Sequence, residues 1–278
     1  MVTLSTGSLY TYGLNRVFGM AVEAGFDGIE VLIDNRRDTY DPAYLRRLSA
    51  EHGLPIRVLH SPFTIDVPGW PPDQLGRLEH TVALAQELGV PTVVTHLPFR
   101  IYGIVAQWHG ERPRQLLVPV PWPRKDAYYR SLENGGVEAL EAASGVTIGV
   151  ENMPSRQILG RHFNAYRFNT LEHLSRFQHL TLDTTHLGTW GLHPPAVYER
   201  LKEKIVHVHL SNYDGREHRL PMNGHLPLGE LLRAMARNGY ARTISIEVGP
   251  DALASEDEAL CLEDLRRAVG FCRENFQA

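Results

Sequence analysis

The feature that most constrains this sequence is a regular alternation of short apolar runs with longer segments of helical spacing. Eight runs rich in β-branched or apolar residues are each followed by a segment whose apolar residues recur at the helical period. Such alternation predicts βα units and a parallel sheet. Eight units predict an α/β protein closed into a (β/α)8 TIM barrel, because an open doubly wound sheet usually stops at about five to seven strands.

The boundaries of these units follow from hydrophobic pattern and helix stop signals. The predicted strands are Val2–Leu9, Gly28–Ile33, Ile56–His60, Thr92–His96, Val146–Glu151, Leu180–Asp183, Ile205–His209 and Thr243–Glu247. The predicted helices are Arg16–Ala24, Ala43–His52, Asp73–Leu88, Asp126–Ala143, Leu171–Phe177, Pro195–Lys204, Leu228–Asn238 and Glu256–Phe276. Gly25, Gly53, Gly89 and Gly239 follow four of these helices, as expected of C-caps.

Length and composition fit one globular domain. The 278 residues are 43% hydrophobic and 22% charged, which is ordinary globular usage. Barrels of about 250 residues commonly form one domain, so we expect a single domain over residues 1–278. The formal net charge of −4 argues against a surface that is basic overall, so nucleic acid is disfavoured as a partner and could bind only through a local basic patch.

Cysteine usage and hydropathy favour a reduced, soluble protein. Cys261 and Cys272 lie eleven residues apart in the last predicted helix, a separation of about 16 Å that excludes a disulfide there. No apolar run reaches the roughly 20 residues that span a bilayer, and no signal peptide opens the chain. We therefore expect a cytoplasmic protein with no membrane partner, and the sequence leaves a homo-oligomer open.

Two connections that follow predicted strands are much longer than usual, at 97–125 and 154–170. Long loops in compact domains tend to be functional, although whether these two form a lid is left open. Their arginines are Arg100, Arg112, Arg114 and Arg124 in the first loop, and Arg156, Arg161 and Arg167 in the second. These loops suggest an anionic or polyhydroxylated ligand, while arginine on loops is also ordinary surface composition.

Acidic and imidazole residues stand at the ends of six consecutive predicted strands. They are His60, His96, Glu151, Asp183, His209 and Glu247, and His186 follows soon after Asp183. All strand ends of a parallel barrel meet at one rim, so these side chains should converge. One charged residue at a strand end is ordinary, whereas six in succession favour a functional site. His207 faces the same side as His209 but one layer deeper, so we do not count it among the ligands.

The residue types indicate which chemistry this rim can support. Mixed carboxylate and imidazole ligands suit Mn²⁺, Zn²⁺, Co²⁺ or Mg²⁺, and the lack of thiolates argues against structural zinc or an iron–sulfur cluster. The sequence has no phosphate-binding P-loop and no Gly-x-Ser-x-Gly nucleophile motif. We therefore expect a site for a divalent metal ion.

At these residues the chain resembles the xylose isomerase-like TIM-barrel superfamily, which includes ketose 3-epimerases, hydroxypyruvate isomerase and endonuclease IV. The motifs are Val-Glu-Asn at 150–152, Asp-Thr-Thr-His at 183–186, His-Val-His-Leu at 207–210, Asn-Gly-His-Leu-Pro-Leu at 223–228 and Ile-Ser-Ile-Glu at 244–247. The resemblance covers nearly the whole chain. Each motif alone is weak, but their order and spacing together are specific.

The resemblance to the sugar epimerases implies one divalent ion and two catalytic carboxylates. The implied metal ligands are Glu151, Asp183, His209 and Glu247. Glu151 and Glu247 would also act as the acid and base, and His186 and Arg216 would contact substrate oxygens. Gln157 stands where ketose epimerases commonly have a second Glu, so a ketohexose substrate is not implied.

The leading hypothesis is therefore a divalent-metal-dependent isomerase or epimerase. Its substrate would be a small carbohydrate, namely a sugar, a sugar phosphate or a hydroxy-keto acid, that reacts through an enediolate intermediate. The metal would stabilise the developing negative charge, and one Glu would remove the proton that the other returns. Trp190, Trp108 or Tyr102 would cover an apolar sugar face.

The resemblance to endonuclease IV implies a second hypothesis, a phosphodiesterase that acts on abasic DNA with two or three metal ions. The additional ligands for a second or third ion would be His60, His96, His186 and His218. Arg216 departs from the Asp-x-His pattern of the nuclease, and the acidic net charge also disfavours duplex binding. A third hypothesis is a non-catalytic barrel that senses a metal or sugar, which the retained pair of glutamates disfavours.

Overall fold

The computed structural model describes residues 1–63, 66–108, 114–123, 125–158 and 161–276, with the backbone alone at 102–121 and 157–162. Its strands are β1 (Val2–Ser5), β2 (Gly28–Leu32), β3 (Ile56–His60), β4 (Thr92–His96), β5 (Ile101–Trp108), β6 (Arg114–Pro123), β7 (Thr147–Glu151), β8 (Arg156–Ile158), β9 (Arg161–Phe163), β10 (Leu180–Asp183), β11 (Ile205–Leu210) and β12 (Thr243–Ile246). Eight of them form a closed parallel barrel in the order β1-β12-β11-β10-β7-β4-β3-β2. The predicted TIM barrel is confirmed.

Helices surround this barrel. They are α1 (Leu14–Ala24), α2 (Pro42–His52), α3 (Gln74–Leu88), α4 (Ala127–Glu133), α5 (Gly136–Ser144), α6 (Leu171–Leu174), α7 (Thr184–Thr189), α8 (Pro194–Leu201), α9 (Leu228–Arg237) and α10 (Glu258–Phe276). The last helix, α10, contacts both α9 and α1, so the helices form a closed ring around the closed sheet. Among the described residues, no helix combines the length and apolar character that crossing a bilayer requires.

Glycine residues end the first three helices. Gly25, Gly53 and Gly89 adopt left-handed backbone angles, with φ of 87°, 61° and 70°, and cap α1, α2 and α3 as predicted. Such angles cost Gly little because it has no Cβ.

Cys261 and Cys272 are free and buried in α10, so the prediction of unpaired thiols is confirmed.

Several predicted bounds differ from the structure, among them Leu171–Phe177, which ends at Leu174, and Pro195–Lys204, whose α-helix ends at Leu201, and two elements differ most. The predicted strand Val2–Leu9 ends at Ser5, because Thr6–Leu9 forms a 3-10 helix that turns tightly beneath β2. A Cβ on Gly7 would lie 2.9 Å from Leu32 Cδ2, so a larger residue here would require the Leu32 side chain to shift. The predicted helix Asp126–Ala143 is divided between α4 and α5 by Gly135, whose φ of 76° interrupts the helical path.

The two long connections are not irregular throughout. Strands β5 and β6 pair as an antiparallel hairpin within the first, and β8 and β9 form a shorter hairpin within the second. The hydrophobic pattern of the barrel did not reveal them, because neither hairpin belongs to the barrel sheet. Both follow strands that end at the rim where the polar residues converge.

Candidate metal centre

Side chains from four strand ends meet at the carboxyl end of the barrel. Glu151, Asp183 and His209 lie in β7, β10 and β11, and Glu247 directly follows β12. One ligand atom of each lies within 4.8 Å of the others. Opposite ligands of one divalent ion are separated by about 4 to 5 Å, since each bond is about 2.0 to 2.5 Å long. The spacing therefore matches a single-ion site.

His209 lies at the centre of this group. Its Nδ1 is 2.9 Å from Glu247 Oε2, 3.2 Å from Glu151 Oε1 and 3.8 Å from Asp183 Oδ2. Burial would lower the pKa of His209, but the surrounding carboxylates, led by that of Glu247, raise it well above its ordinary value. Without a metal, the imidazolium supplies the positive charge that these acids require.

Asp183 provides the clearest test of whether a cation fits. Its Oδ1 accepts a 2.7 Å hydrogen bond from the backbone N–H of His186 and caps α7. Its Oδ2 is buried and accepts no hydrogen bond from any residue that the structure describes. Burial raises the pKa of Asp183 well above its ordinary value, because an ionised carboxylate there lacks compensation. A divalent ion would supply the missing partner, so the four residues fit a metal.

Glu151 connects this group to two further histidines. Its Oε2 lies 2.8 Å from His96 Nε2 and 3.4 Å from His60 Nε2. Burial alone would raise the pKa of Glu151, but neighbouring imidazoles, His96 first, hold it well below its ordinary value. The two Nε2 atoms are themselves only 3.1 Å apart. The cluster of His60, His96 and Glu151 could hold a second ion through the free oxygen of Glu151.

A third cluster contains His186, Glu217 and His218. His186 Nδ1 donates to Asn152 O at 2.7 Å, and His218 Nδ1 donates to Glu247 O at 3.2 Å. When these rings are neutral, the Nε2 of each is therefore free to accept a hydrogen bond or to bind a metal.

Sequence reasoning singled out Arg216 in this segment and overlooked its neighbour Glu217. Arg216 is exposed, and its described hydrogen bonds involve only its backbone: its N–H donates to Asp214 Oδ1, and its carbonyl accepts from the Asp214 N–H. Glu217 Oε2 lies 3.8 Å from His186 Nε2. Both residues stand in the same Arg-Glu-His stretch, and only the loop conformation decides which side chain reaches the cluster.

Glu30 is the other residue that sequence reasoning missed. It is fully buried in β2, where Oε1 lies 2.9 Å from His209 Nε2 and Oε2 lies 3.0 Å from His207 Nε2. Because β2 and β11 are not neighbours in the barrel, these hydrogen bonds cross its interior. His207 Nδ1 in turn lies 2.7 Å from Thr243 Oγ1. The available signal was a lone Glu inside an otherwise apolar predicted strand.

The aromatic residues proposed to cover a sugar occupy different settings. Trp190 is half-buried and donates its Nε1–H to Met153 O at 2.9 Å. The side chains of Tyr102, Trp108 and Gln157 lie outside the described residues. Phe63 instead packs edge-on against His96, with 4.8 Å between ring centroids. An aromatic contact next to the second cluster was not predicted.

Comparison with known sequences places this geometry in a recognised group. A family model described as "Xylose isomerase-like TIM barrel" matches residues 18–265. Uncharacterised proteins of Mycobacterium tuberculosis strain H37Rv and Mycobacterium leprae are each 28% identical, with 96% of both chains covered.

Solved structures resemble the whole chain in fold. A D-tagatose 3-epimerase-like protein has a TM-score of 0.65 at 21% identity, with 98% of each chain covered. An L-ribulose 3-epimerase has a TM-score of 0.67 at 20% identity, covering 99% of this chain and 94% of its own. A D-psicose 3-epimerase solved with D-fructose has a TM-score of 0.68 at 16% identity, covering 100% and 99%. At these identities the likeness shows a shared fold.

Proposed function

The chain belongs to the family of xylose isomerase-like TIM barrels, and from this premise we propose that it is a metal-dependent isomerase or epimerase of a small carbohydrate. The observation that carries the proposal is the position of Glu151 and Glu247 around one candidate metal centre. Both carboxylates lie within 3.2 Å of His209 Nδ1, although they come from different strands. The names of the epimerases that share the fold support the same reaction class.

The proposed cofactor is one divalent ion, Mn²⁺, Zn²⁺, Co²⁺ or Mg²⁺, held by Glu151, Asp183, His209 and Glu247. When bound, the ion would stabilise negative charge on substrate oxygens as a proton leaves the neighbouring carbon. The unpartnered Oδ2 of Asp183 and the mixed oxygen and nitrogen donors support this assignment.

The two glutamates would serve as base and acid. The pKa of Glu247 is held at about 2, since the effect of nearby His209 outweighs burial, and that of Glu151 also lies well below its ordinary value. Both are therefore ionised at neutral pH and able to accept a proton. One would remove the proton next to a carbonyl to give an enediolate, and the other, after taking up a proton from solvent, would return it to that carbon or its neighbour.

Polar groups beside the centre would orient the substrate. His186 presents Nε2 after its Nδ1 is bound by Asn152 O, so it suits a substrate hydroxyl or carbonyl. His60 Nδ1 also donates to the backbone, to Ser61 O at 3.2 Å, but its Nε2 faces His96 and Glu151 within the second cluster. Arg216 is left out of this assignment, because its exposed side chain makes no described contact with the cluster.

One observation favours a second candidate, a phosphodiesterase that acts on abasic DNA with two or three ions. Two additional clusters, His60–His96–Glu151 and His186–Glu217–His218, adjoin the four-residue site. Glu217 supplies the carboxylate that the sequence pattern of that nuclease class places one residue earlier. Against this candidate, the net charge of −4 is unfavourable for duplex binding.

Isotope exchange separates these candidates, because only proton removal next to a carbonyl exposes a carbon-bound hydrogen to solvent. Ketoses, aldoses, their phosphates and hydroxy-keto acids would be incubated with protein and Mn²⁺ or Co²⁺ in heavy water, and deuterium uptake followed by NMR. We expect uptake by at least one compound and no incision of DNA with an abasic site. Incision without uptake would refute the proposal, and ligand binding with neither reaction would favour a sensor.

A further inference from the structure

Three aromatic residues, Phe63, Phe99 and Tyr166, pack together as an aromatic wall beside His96. Phe99 and Tyr166 form an isolated antiparallel bridge, and their rings stack with 4.7 Å between centroids. Phe63 lies 5.1 Å from the ring of Phe99 and 4.8 Å from that of His96. Burial and the charge of Glu151 raise the pKa of Tyr166 to about 12. This face of the wall therefore lies towards the metal centre.

The next residue on each strand of this bridge is an arginine. Arg100 N–H donates to Ala165 O and Arg167 N–H donates to Pro98 O, both at 2.8 Å. Successive side chains of extended segments point to opposite faces. The side chains of Arg100 and Arg167 accordingly lie on the face of this bridge opposite to Phe99 and Tyr166, where both line a cavity.

That cavity has a volume of about 430 Å³, within the range of small-molecule sites. Tyr129 and Glu138, from α4 and α5, form part of its lining together with Phe168. The ring of Phe168 stacks on that of Tyr129 at 5.1 Å and meets that of Phe177 edge-on at 6.1 Å. The cavity thus combines charged groups with a rigid aromatic surface.

Phe168 holds this position in an unfavourable backbone conformation. Its φ is 58°, in the left-handed region that a residue with a bulky side chain rarely adopts. Strain of this kind persists where surrounding structure enforces it, and it is frequent at ligand sites.

Three charged side chains at the cavity each contain a buried atom that makes no hydrogen bond. Arg100 Nε, Arg167 Nε and Glu138 Oε2 are buried and make no hydrogen bond among the described residues. Buried polar atoms are nearly always hydrogen-bonded, so these three side chains have unused hydrogen-bonding capacity beside the cavity. Arg167 itself is held in place, because its guanidinium lies 5.8 Å from the centre of the Tyr129 ring.

The other charged groups at the cavity already have partners. Arg176 pairs with Glu172 at 2.7 Å, and Glu133 Oε1 accepts a 2.7 Å hydrogen bond from the Tyr129 hydroxyl. The structure describes no ion pair between Arg100 or Arg167 and Glu138. A simple anion would satisfy only the guanidiniums, and a simple cation would satisfy only Glu138.

We propose that this cavity binds a small zwitterion of the α-amino acid class, at a site distinct from the metal centre. The ligand carboxylate would bind Arg100 and Arg167, since guanidinium groups bind carboxylates in a forked geometry. The ligand ammonium would bind Glu138, and an apolar side chain would pack on the ring of Phe168. This inference does not depend on the isomerase proposal.

The test uses the whole chain and the common amino acids as probes. We expect at least one amino acid to raise the melting temperature, because a ligand that binds only the folded state stabilises it. Calorimetry should then show affinity at least about tenfold weaker in Arg167→Met and in Glu138→Gln, or about 1.4 kcal/mol. Arg130→Met removes an exposed guanidinium from the same region and should change nothing. Asp183→Asn should impair the metal centre but leave this binding intact.

Several results would overturn the proposal. Inorganic phosphate or acetate that binds as well as any amino acid, with Glu138→Gln unchanged, would show a site for simple anions. No binding by any amino acid would show that solvent alone fills the cavity. If Arg167→Met unfolds by circular dichroism, Arg100→Met provides the same comparison, and full affinity in that variant would refute the assignment.

Discussion

Glu30 Oε1 lies 2.9 Å from His209 Nε2, on the side of the imidazole opposite to the proposed metal ligand Nδ1. A carboxylate in this position fixes the tautomer and orientation of a metal-binding histidine and increases its basicity. Glu30 is shared with His207, so one buried acid holds two imidazole rings.

Replacing Glu30 by Gln should weaken metal binding, because the amide cannot carry the negative charge that orients and polarises His209. Outer-shell substitutions typically cost about 10- to 100-fold in metal affinity. Calorimetric titration with Mn²⁺ or Co²⁺ would measure the change, with the exposed Glu51→Gln as control. Equal affinity in Glu30→Gln and the parent would mean that Glu30 serves only the packing of the barrel interior.

Removing the proposed metal ion should lower thermal stability. A ligand present at 100 times its dissociation constant stabilises the folded state by about 2.7 kcal/mol. We expect the melting temperature to fall in excess chelator and to recover with Mn²⁺, and elemental analysis should find one ion per chain. Asp183→Asn should show a much smaller response. Two or three ions per chain would instead favour the phosphodiesterase candidate.

Glu151→Gln and Glu247→Gln should each abolish nearly all deuterium exchange while the protein remains folded, because Gln keeps the shape but cannot act as a base. Both also remove a proposed metal ligand, so exchange is to be compared at saturating metal. Glu217→Gln provides a control beside the centre and should have a milder effect. If a variant of Glu151 or Glu247 stays within about tenfold of the parent rate, or 1.4 kcal/mol in barrier, the replaced Glu is not the essential base.

The Glu247–His209 pair should give the metal-free protein a stability maximum at mildly acidic pH. The pKa of Glu247 is lowered to about 2, so its contribution is lost as pH falls from about 4.3 through that value. The pKa of His209 is raised, so its contribution is complete below about 6.5 and is lost as pH rises through the raised value.

Thermal melts of the parent and of Glu247→Gln, both in chelator, would test this pH dependence. The difference in melting temperature should be largest between about pH 4.3 and 6.5 and should shrink on either side. A difference that stays constant from pH 3 to 9, to about 1 °C, would exclude this ion pair as its source.

The sequence pattern predicted the repeated βα units of the fold and the polar residues that end their strands. The bounds of β3, β4 and β10 were predicted to the residue, because each is an apolar run closed by a His or an Asp. The closed barrel places all such ends on one rim, and the structure brings Glu151, Asp183, His209 and Glu247 together there. Their roles stay predictions.

What the pattern could not predict depends on contacts between distant segments. Glu30 lies inside a strand, so a search for acids at strand ends does not find it. Its hydrogen-bond partners lie 177 and 179 residues away in the chain. The choice between Arg216 and Glu217 depends on loop angles that apolar periodicity does not encode. The bridge between Phe99 and Tyr166 likewise joins two loops that have no shared sequence signal.

The pairing of β1 with β12 determines when the folding chain can first bind the proposed ion. Val2 is in register with Ile244, so this seam of the barrel cannot form until the chain has been synthesised beyond Ile244. Contacts of such long sequence separation form late and slowly, because a large loop must be closed first. Glu247 follows this final strand directly. A nascent or truncated chain that lacks β12 can present only three of the four proposed ligands, so capture of the ion would report that folding is complete.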